Sequence, residues 1–171
     1  DNIHFDETVL VRRLKETAYL NGGLKIVYKN EHTGTKEDFF YEGGIADYVS
    51  YLASTRSSPY PSKPFYFENK SGKVNVQVSF QYAEDDDETI YAFANNINTA
   101  DGGTHLSGFK TSITRVINQF SRSLNIIKEK EPNLTGEDIR EGIVAIISVR
   151  LPQPQFEGQT KGKLGSPEVE G

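Results

Sequence analysis

Gln159 and Lys161 flank a threonine in Phe156-Glu157-Gly158-Gln159-Thr160-Lys161-Gly162-Lys163-Leu164-Gly165-Ser166-Pro167-Glu168-Val169, a polar stretch punctuated by glycines. An amide and an ammonium two positions apart on such a loop suit a phosphate. Lysine is a compact charge on a flexible stem, and glutamine adds a hydrogen-bond donor without adding charge. A stretch this polar is expected to contribute nothing to a core. Lys163 reads as a supporting surface charge. A second set of cations lies upstream. From Gly102 to Lys128 there is no Asp or Glu, although 24 acids in 171 residues would place roughly four there. At ~100° per residue Arg115 and Arg122 project within ~20° of each other, among Thr111, Thr114 and Asn118, with Lys110 at the edge of the apolar stripe. Cations on an acid-free helical face are suited to nucleic-acid phosphates.

Other chemistry is poorly represented. There are no cysteines, so no disulfide, thiolate metal site or cysteine nucleophile can form. His4, His32 and His105 stand in unrelated contexts, which gives no metal-ligand spacing. His105 reads as a packed, hydrogen-bonded histidine, and Arg140 with Glu141 as an internal ion pair. Neither Gly-x-x-x-x-Gly-Lys-Ser/Thr nor a nucleophile-elbow serine occurs. Glu84-Asp85-Asp86-Asp87-Glu88 lacks the alternating ligands and the glycine of a calcium loop and reads as a solvated hairpin turn. The net charge of −5 opposes generic nucleic-acid affinity, and no apolar run approaches a membrane span.

The elements that would position these residues follow from periodicity. Asp6 is a candidate N-cap for a helix with Val9, Leu10, Leu14 and Leu20 on one arc, closed by Gly22-Gly23. Strands are predicted over 24–29 and 37–41, and a short helix carries Ile45, Tyr48, Val49 and Leu52. Ser57 to Pro64, with three prolines, reads as a loop. Val74, Val76, Val78 and Phe80 alternate with polar residues, and 89–97 is expected to pair with that strand as a hairpin. Thr104 is predicted to cap a long helix reaching about Asn125, with Leu106, Phe109, Ile113, Val116, Ile117 and Phe120 facing inward. Gly102 and Gly103 read as its preceding turn. Thr135 with Asp138 begins a helical turn, and the run Ile143 to Val149, apolar but for Ser148, marks a strand covered on both faces. The order argues an α+β domain with helices packed on a mixed sheet.

Several strings carry a family likeness. Tyr19-Leu20-Asn21-Gly22-Gly23, Phe40-Tyr41-Glu42-Gly43-Gly44-Ile45, Asp101-Gly102-Gly103-Thr104-His105-Leu106-Ser107-Gly108-Phe109 and Gly136-Glu137-Asp138-Ile139-Arg140-Glu141-Gly142-Ile143-Val144-Ala145-Ile146-Ile147-Ser148 stand upstream of the Gln159-Thr160-Lys161 segment. In this order they resemble the second, transducer domain of the DNA gyrase B family, over nearly the whole chain. The resemblance implies a ribosomal protein S5 domain 2-like fold, a mixed sheet with a left-handed crossover. It implies that residues 1–171 are one domain of a longer polypeptide, with an ATPase domain upstream and a core/TOPRIM domain downstream. The absence of methionine from a chain opening on Asp1 also reads as a piece of a larger polypeptide.

By the same resemblance, Gln159 and Lys161 would reach the γ-phosphate of ATP bound, with Mg2+, in the upstream domain. Lys110, Arg115 and Arg122 would face a DNA-passage cavity. The parent would be a cytoplasmic ATP-dependent type IIA topoisomerase, an isomerase that supercoils DNA negatively. Its partners would be a second copy of gyrase B, the gyrase A protein in an A2B2 assembly, and double-stranded DNA, with no membrane. The same domain in the ATPase-bearing subunit of topoisomerase IV is one alternative. A stand-alone nucleic-acid or protein-interaction module on the S5-type fold is another.

On this reading the chain by itself neither binds nor hydrolyses ATP and holds no metal, because it would supply only contacts to the terminal phosphate. Calorimetric titration with a non-hydrolysable ATP analogue is expected to give no heat beyond dilution. Micromolar binding would overturn this division of labour.

Overall fold

The computed structural model describes residues 5–171, so His4 lies outside the described residues. Helix α1 (Glu7–Leu20) starts where Asp6 accepts the amides of Thr8 (3.0 Å) and Val9 (3.2 Å), the cap expected of an aspartate there. A two-stranded ribbon, β1 (Ile26–Lys29) and β2 (Lys36–Phe39), leads into α2 (Ile45–Ala53). The main sheet contains β3 (Tyr60–Ser71), β4 (Val74–Tyr82), β5 (Thr89–Ala94), β6 (Ile97–Asn98) and β7 (Ile143–Arg150), in the order β3-β4-β7-β5-β6. Between β6 and β7 run α3 (Thr104–Ser123) and α4 (Gly136–Arg140). The chain ends in a small hairpin, β8 (Phe156–Glu157) with β9 (Lys163–Leu164), and a 3-10 turn, Pro167–Val169.

The apolar run of β7, broken only by the buried Ser148, is explained by its place at the centre. Val144 and Ile146 pack with Leu20, Ile45, Val49 and Phe93 beneath α1 and α2. Ile147 and Val149 join Leu164, Leu106 and Phe109 on the opposite face, while Ile143 and Ala145 join Ile113 and Ile139 there. A strand covered on both faces has no polar side to alternate with.

Three predictions about pairing are corrected. β4 and β5 are not a hairpin, because β7 lies between them, antiparallel to β4 and parallel to β5. The acidic run 84–88 is therefore a connection over the end of β7. It is held rather than loosely solvated: Arg56 donates through Nε to Asp85 at 2.9 and 2.8 Å, and through Nη1 to Thr89 at 2.9 Å. The guanidinium keeps the Asp85 carboxyl down at about 2. The proline-rich segment from Tyr60 onward is an edge strand, the position where missing N–H donors are tolerated. The register shifts between Tyr60 and Phe65, and β4 side chains compensate there. Ser79 donates to the carbonyl of Phe65 at 2.8 Å and Gln81 to that of Pro61. That is why two polar residues of an alternating strand are buried.

Helix faces also depart from expectation. Val9 and Leu10 are exposed, as are Val116 and Phe120, while burial on α1 is confined to Ala18, Tyr19 and Leu20. Arg140 pairs with Glu88 and not with its neighbour Glu141, which is exposed. The Thr135–Asp138 cap is present in full, with both reciprocal bonds.

His105, in the first turn of α3, is 2% exposed. Thr99 gives its only hydroxyl proton to the carbonyl of Ala92 (2.8 Å), so it accepts from His105 Nε2 (2.9 Å). That fixes the neutral Nε2–H tautomer, and burial lowers the imidazole to about 4 from 6.5. A folded-state value below the unfolded one means the unfolded chain binds more protons between these limits. Stability therefore declines as pH falls from 6.5 and stops declining below about 4, by up to about 3 kcal/mol in all. Urea melts of the chain and of His105→Gln across this range are expected to show a smaller decline in the variant. Equal declines would remove His105 as the source.

Candidate functional site

The Gln159–Lys161 segment lies within the five-residue loop 158–162 of the β8–β9 hairpin, whose register pairs Phe156 with Leu164 and Glu157 with Lys163. Lys163 forms a cross-strand ion pair with Glu157 at 3.0 Å, so its charge belongs to the stem. Gly158 and Lys161 both adopt positive φ (83° and 54°) and the Lys161 amide turns back to the Gly158 carbonyl at 3.4 Å. Left-handed backbone is uncommon at a residue with a Cβ and is often found at functional positions. Gln159 and Lys161 are exposed, and among the described residues Lys161 has no carboxylate partner. Its ammonium sits 5.9 Å from the centroid of Phe156, the ring at the base of the loop.

The hairpin is seated on the segment that opens α3. The Asp101 amide donates to the carbonyl of Gly162 (2.8 Å), and the Leu164 amide to that of Gly102 (3.1 Å). Gly103 pairs with Leu164 as a parallel bridge, and a Cβ at Gly103 would collide with the Leu164 backbone. Thr104 does not cap the helix. Its hydroxyl donates to the carbonyl of Ser166 at 2.7 Å, and Gly103 is the N-cap without a side-chain bond. The expectation that this segment adds nothing to the core also fails: Leu164 and Ser166 are fully buried, Leu164 among Ile147, Val149 and Leu151. The Asp101–Thr104 string is thus the seat of the Gln159–Lys161 loop as well as a turn.

The cations of α3 come together in a groove of about 630 Å³ between α3, α4 and the 133–134 segment. Lys110, Arg115 and Arg122 all line it, and Arg140 of α4 joins them. Each has a different environment. Arg115 is exposed and has no bonded partner among the described residues. Arg122 is committed to the loop after α3, donating to Asn133 Oδ1 (2.8 Å) and to the carbonyls of Glu131 (2.8 Å) and Lys128 (3.1 Å). All three acceptors are neutral, and no carboxylate pairs with Arg122 among the described residues. Asn118 secures the same loop through both backbone groups of Leu134.

Lys110 lies 2.8 Å from Glu88, which also meets Arg140 Nε at 3.2 Å. Burial pushes the Glu88 carboxyl up, but the two cations outweigh it and hold the group below its usual value. The face is acid-free in sequence but not in space, since the intruding carboxylate comes from the connection before β5. Sequence spacing could not have revealed that intrusion, nor Arg140's place in the groove. No group of three or more His, Asp or Glu able to hold a metal ion occurs among the described residues. No helix of the described residues is long and apolar enough to cross a membrane.

Comparison with known proteins places this architecture. A family model described as DNA gyrase B matches residues 44–171. The DNA gyrase B protein of Halalkalibacterium halodurans is 52% identical over 166 residues, covering 96% of this chain and 26% of its own length. The chain thus spans about a quarter of that relative. Among solved structures, the 43K ATPase domain of Thermus thermophilus gyrase B, in complex with an aminocoumarin, superposes with a TM-score of 0.90 at 41% identity. It covers 99% of this chain and 45% of its own. The topoisomerase IV ATP-binding domain of Francisella tularensis gives 0.79 at 28% identity, covering 99% of this chain and 45% of its own. With its mixed sheet, its helices and its glycine-seated terminal hairpin all accounted for, the chain belongs to the DNA gyrase B family.

Proposed function

We propose that the chain is the transducer domain of a gyrase B protein. Its Gln159–Lys161 loop meets the γ-phosphate of ATP held by the ATPase domain of the same polypeptide. The observation that carries this reading is an exposed Lys161, without a carboxylate partner among the described residues, on a hairpin whose backbone is bonded to the start of α3. Lys161 offers only N–H donors, which suit phosphate oxygens and do not suit Mg2+. ATP would bring the ion with it. A donor at the terminal phosphate strengthens as charge builds there during hydrolysis, and it senses whether that phosphate is present.

The seat of the hairpin then gives the coupling. Docking of the loop is transmitted to α3, and α3 carries Lys110, Arg115 and Arg122 toward DNA backbone. The assembled enzyme would contain two copies each of gyrase B and gyrase A in the cytoplasm and pass double-stranded DNA through this gate. Confinement inside the assembly would raise the effective concentration of DNA at the groove, offsetting the domain's net charge of −5.

Lys161→Ala in the full-length protein is expected to lower ATP turnover by about 10²–10³-fold, the scale for removal of one charge-stabilising donor. Nucleotide affinity is expected to fall far less, since the base and ribose are bound elsewhere. Equal losses in the two would assign Lys161 to ground-state binding and defeat the sensing role.

For the DNA face, replacing Lys110, Arg115 and Arg122 together would also unfasten the loop that Arg122 holds. The structure therefore favours Arg115→Glu combined with Lys110→Glu. In the full-length protein the ratio of DNA-stimulated to unstimulated ATPase is expected to fall toward one, and supercoiling with it. Undiminished stimulation at low and moderate salt would make the groove ordinary solvated surface.

A further inference from the structure

Glu88 is the one carboxylate paired with cations of the groove among the described residues. Its two oxygens are divided between elements, Oε1 facing Lys110 Nζ of α3 at 2.8 Å and Oε2 facing Arg140 Nε of α4 at 3.2 Å. The Arg140 contact uses Nε alone, and no bond from the terminal nitrogens of its guanidinium is found among the described residues. A planar fork held at a single point remains able to engage a bidentate acceptor. The Lys110 and Glu88 side chains are each about one-third exposed, at 35% and 34%, whereas Arg140 is 14% exposed. The Lys110 contact, this open to water, contributes little net stability and is readily exchanged. The other two cations of the groove differ: Arg122 bonds only neutral acceptors and Arg115 has no partner among the described residues.

We propose that Glu88 occupies a phosphate subsite. Its carboxylate stands between Lys110 and Arg140 where a backbone phosphate of bound DNA would sit, and DNA must displace it to engage both cations. The inference rests on the reading of the groove as a DNA-backbone surface and extends it in two respects. Arg140 becomes a fourth phosphate-contacting residue. Glu88 becomes the internal competitor that sets which anions can enter. A lone phosphate ion exchanges one anion for another at this subsite and gains nothing further. A duplex also gains Arg115 and Arg122, so only a polyanion spaced along the groove displaces the carboxylate. The carboxyl held below its usual value by the two cations is consistent with a charged occupant.

The test uses the chain itself and a short fluorescent duplex, by anisotropy over a salt series, with melting curves to confirm folding. Glu88→Gln is expected to tighten duplex binding about three- to tenfold, the scale for removing one competing charge near a protein surface. It should also steepen the slope of log K against log salt by about 0.9 for each phosphate contact released from competition. Glu84→Gln, which removes an equal charge from the same connection outside the groove, is expected to give little of this gain. Adding Arg140→Gln to Glu88→Gln is expected to cancel the gain, because the freed subsite then lacks one cation. Inorganic phosphate is expected not to compete with the duplex at matched ionic strength. Unchanged or weaker binding by Glu88→Gln would show a structural tie and overturn the inference, as would an equal gain from Glu84→Gln. Failure of the underlying reading looks different: Arg115→Glu would leave duplex binding untouched, or no chain would bind even at low salt.

Discussion

The close approach of Gly103 to the backbone of Leu164 is the constraint on which both candidate sites depend. Gly103 has φ 138° and no Cβ, and any side chain there would meet the Leu164 backbone. The contact is possible only because both neighbours are also tied, Gly102 to the Leu164 amide and Thr104 to the Ser166 carbonyl. Leu164 then enters the core beside Leu106 and Phe109, residues of α3 itself. The stem of the hairpin and the first turns of α3 therefore share backbone bonds and a core. Under the proposed function these shared bonds give the Gln159–Lys161 loop a direct route into α3. Leucine at 164 makes this firm: burying such a side chain is worth about 1.5–3 kcal/mol, which a polar stem would lack.

How legible this was in sequence can be judged residue by residue. β7 was readable because seven consecutive buried positions leave only one interpretation of an apolar run. The caps at Asp6 and Thr135 were readable because capping is a local exchange of bonds within a few residues. β3 was not, because its prolines look like loop punctuation unless one knows that β4 supplies Ser79 and Gln81 from the neighbouring strand. Nor could the order β4-β7-β5 be read, since strands adjacent in sequence usually pair and only tertiary packing inserts β7. For the sites, residue types were legible while their company was not. Gln159 and Lys161 stand out by composition, but their seat on Asp101–Thr104 lies far away in sequence. Arg140 looked like a partner for Glu141 and instead reaches Glu88.

The groove shows why charge counted along a helix misstates charge in space. Lys110, Arg115 and Arg122 share a stretch without acids, yet they differ in how much positive charge they present. Lys110 is compensated by Glu88, Arg122 is structurally committed but only to neutral acceptors, and Arg115 is uncommitted. Arginine suits the second of these roles. Its donors fan across several carbonyls while the charge remains delocalised and permanent. A lysine at 122 could not hold Asn133, Lys128 and Glu131 together with the same fork. One residue can thus organise the far wall of the groove and still contribute to its potential. The acidic connection before β5 performs the complementary task, with Asp85 fastening Arg56 and Glu88 restraining Lys110 and Arg140.

Magnitudes constrain how such a loop could act as a switch under the proposed function. A ligand biases a conformational equilibrium only by its differential affinity for the two states. Reversing an equilibrium from 1:99 to 99:1 takes about 5.5 kcal/mol. Hydrogen bonds to charged groups contribute about 1.5–3 kcal/mol each, so one ammonium and one amide on a terminal phosphate supply roughly 3–6. That range reaches the requirement only if little is lost in ordering the loop. The backbone here limits that loss. The Lys161 amide is already turned to Gly158, and the stem is fixed at Gly102, Gly103 and Ser166. What remains to be ordered is mainly the two side chains, at up to about 2 kcal/mol each. Subtracting that cost from roughly 3–6 kcal/mol leaves less than the roughly 5.5 required, so the phosphate contact alone does not reverse such an equilibrium. A second bias, such as phosphates engaging the groove on the same helix, would have to supply the remainder.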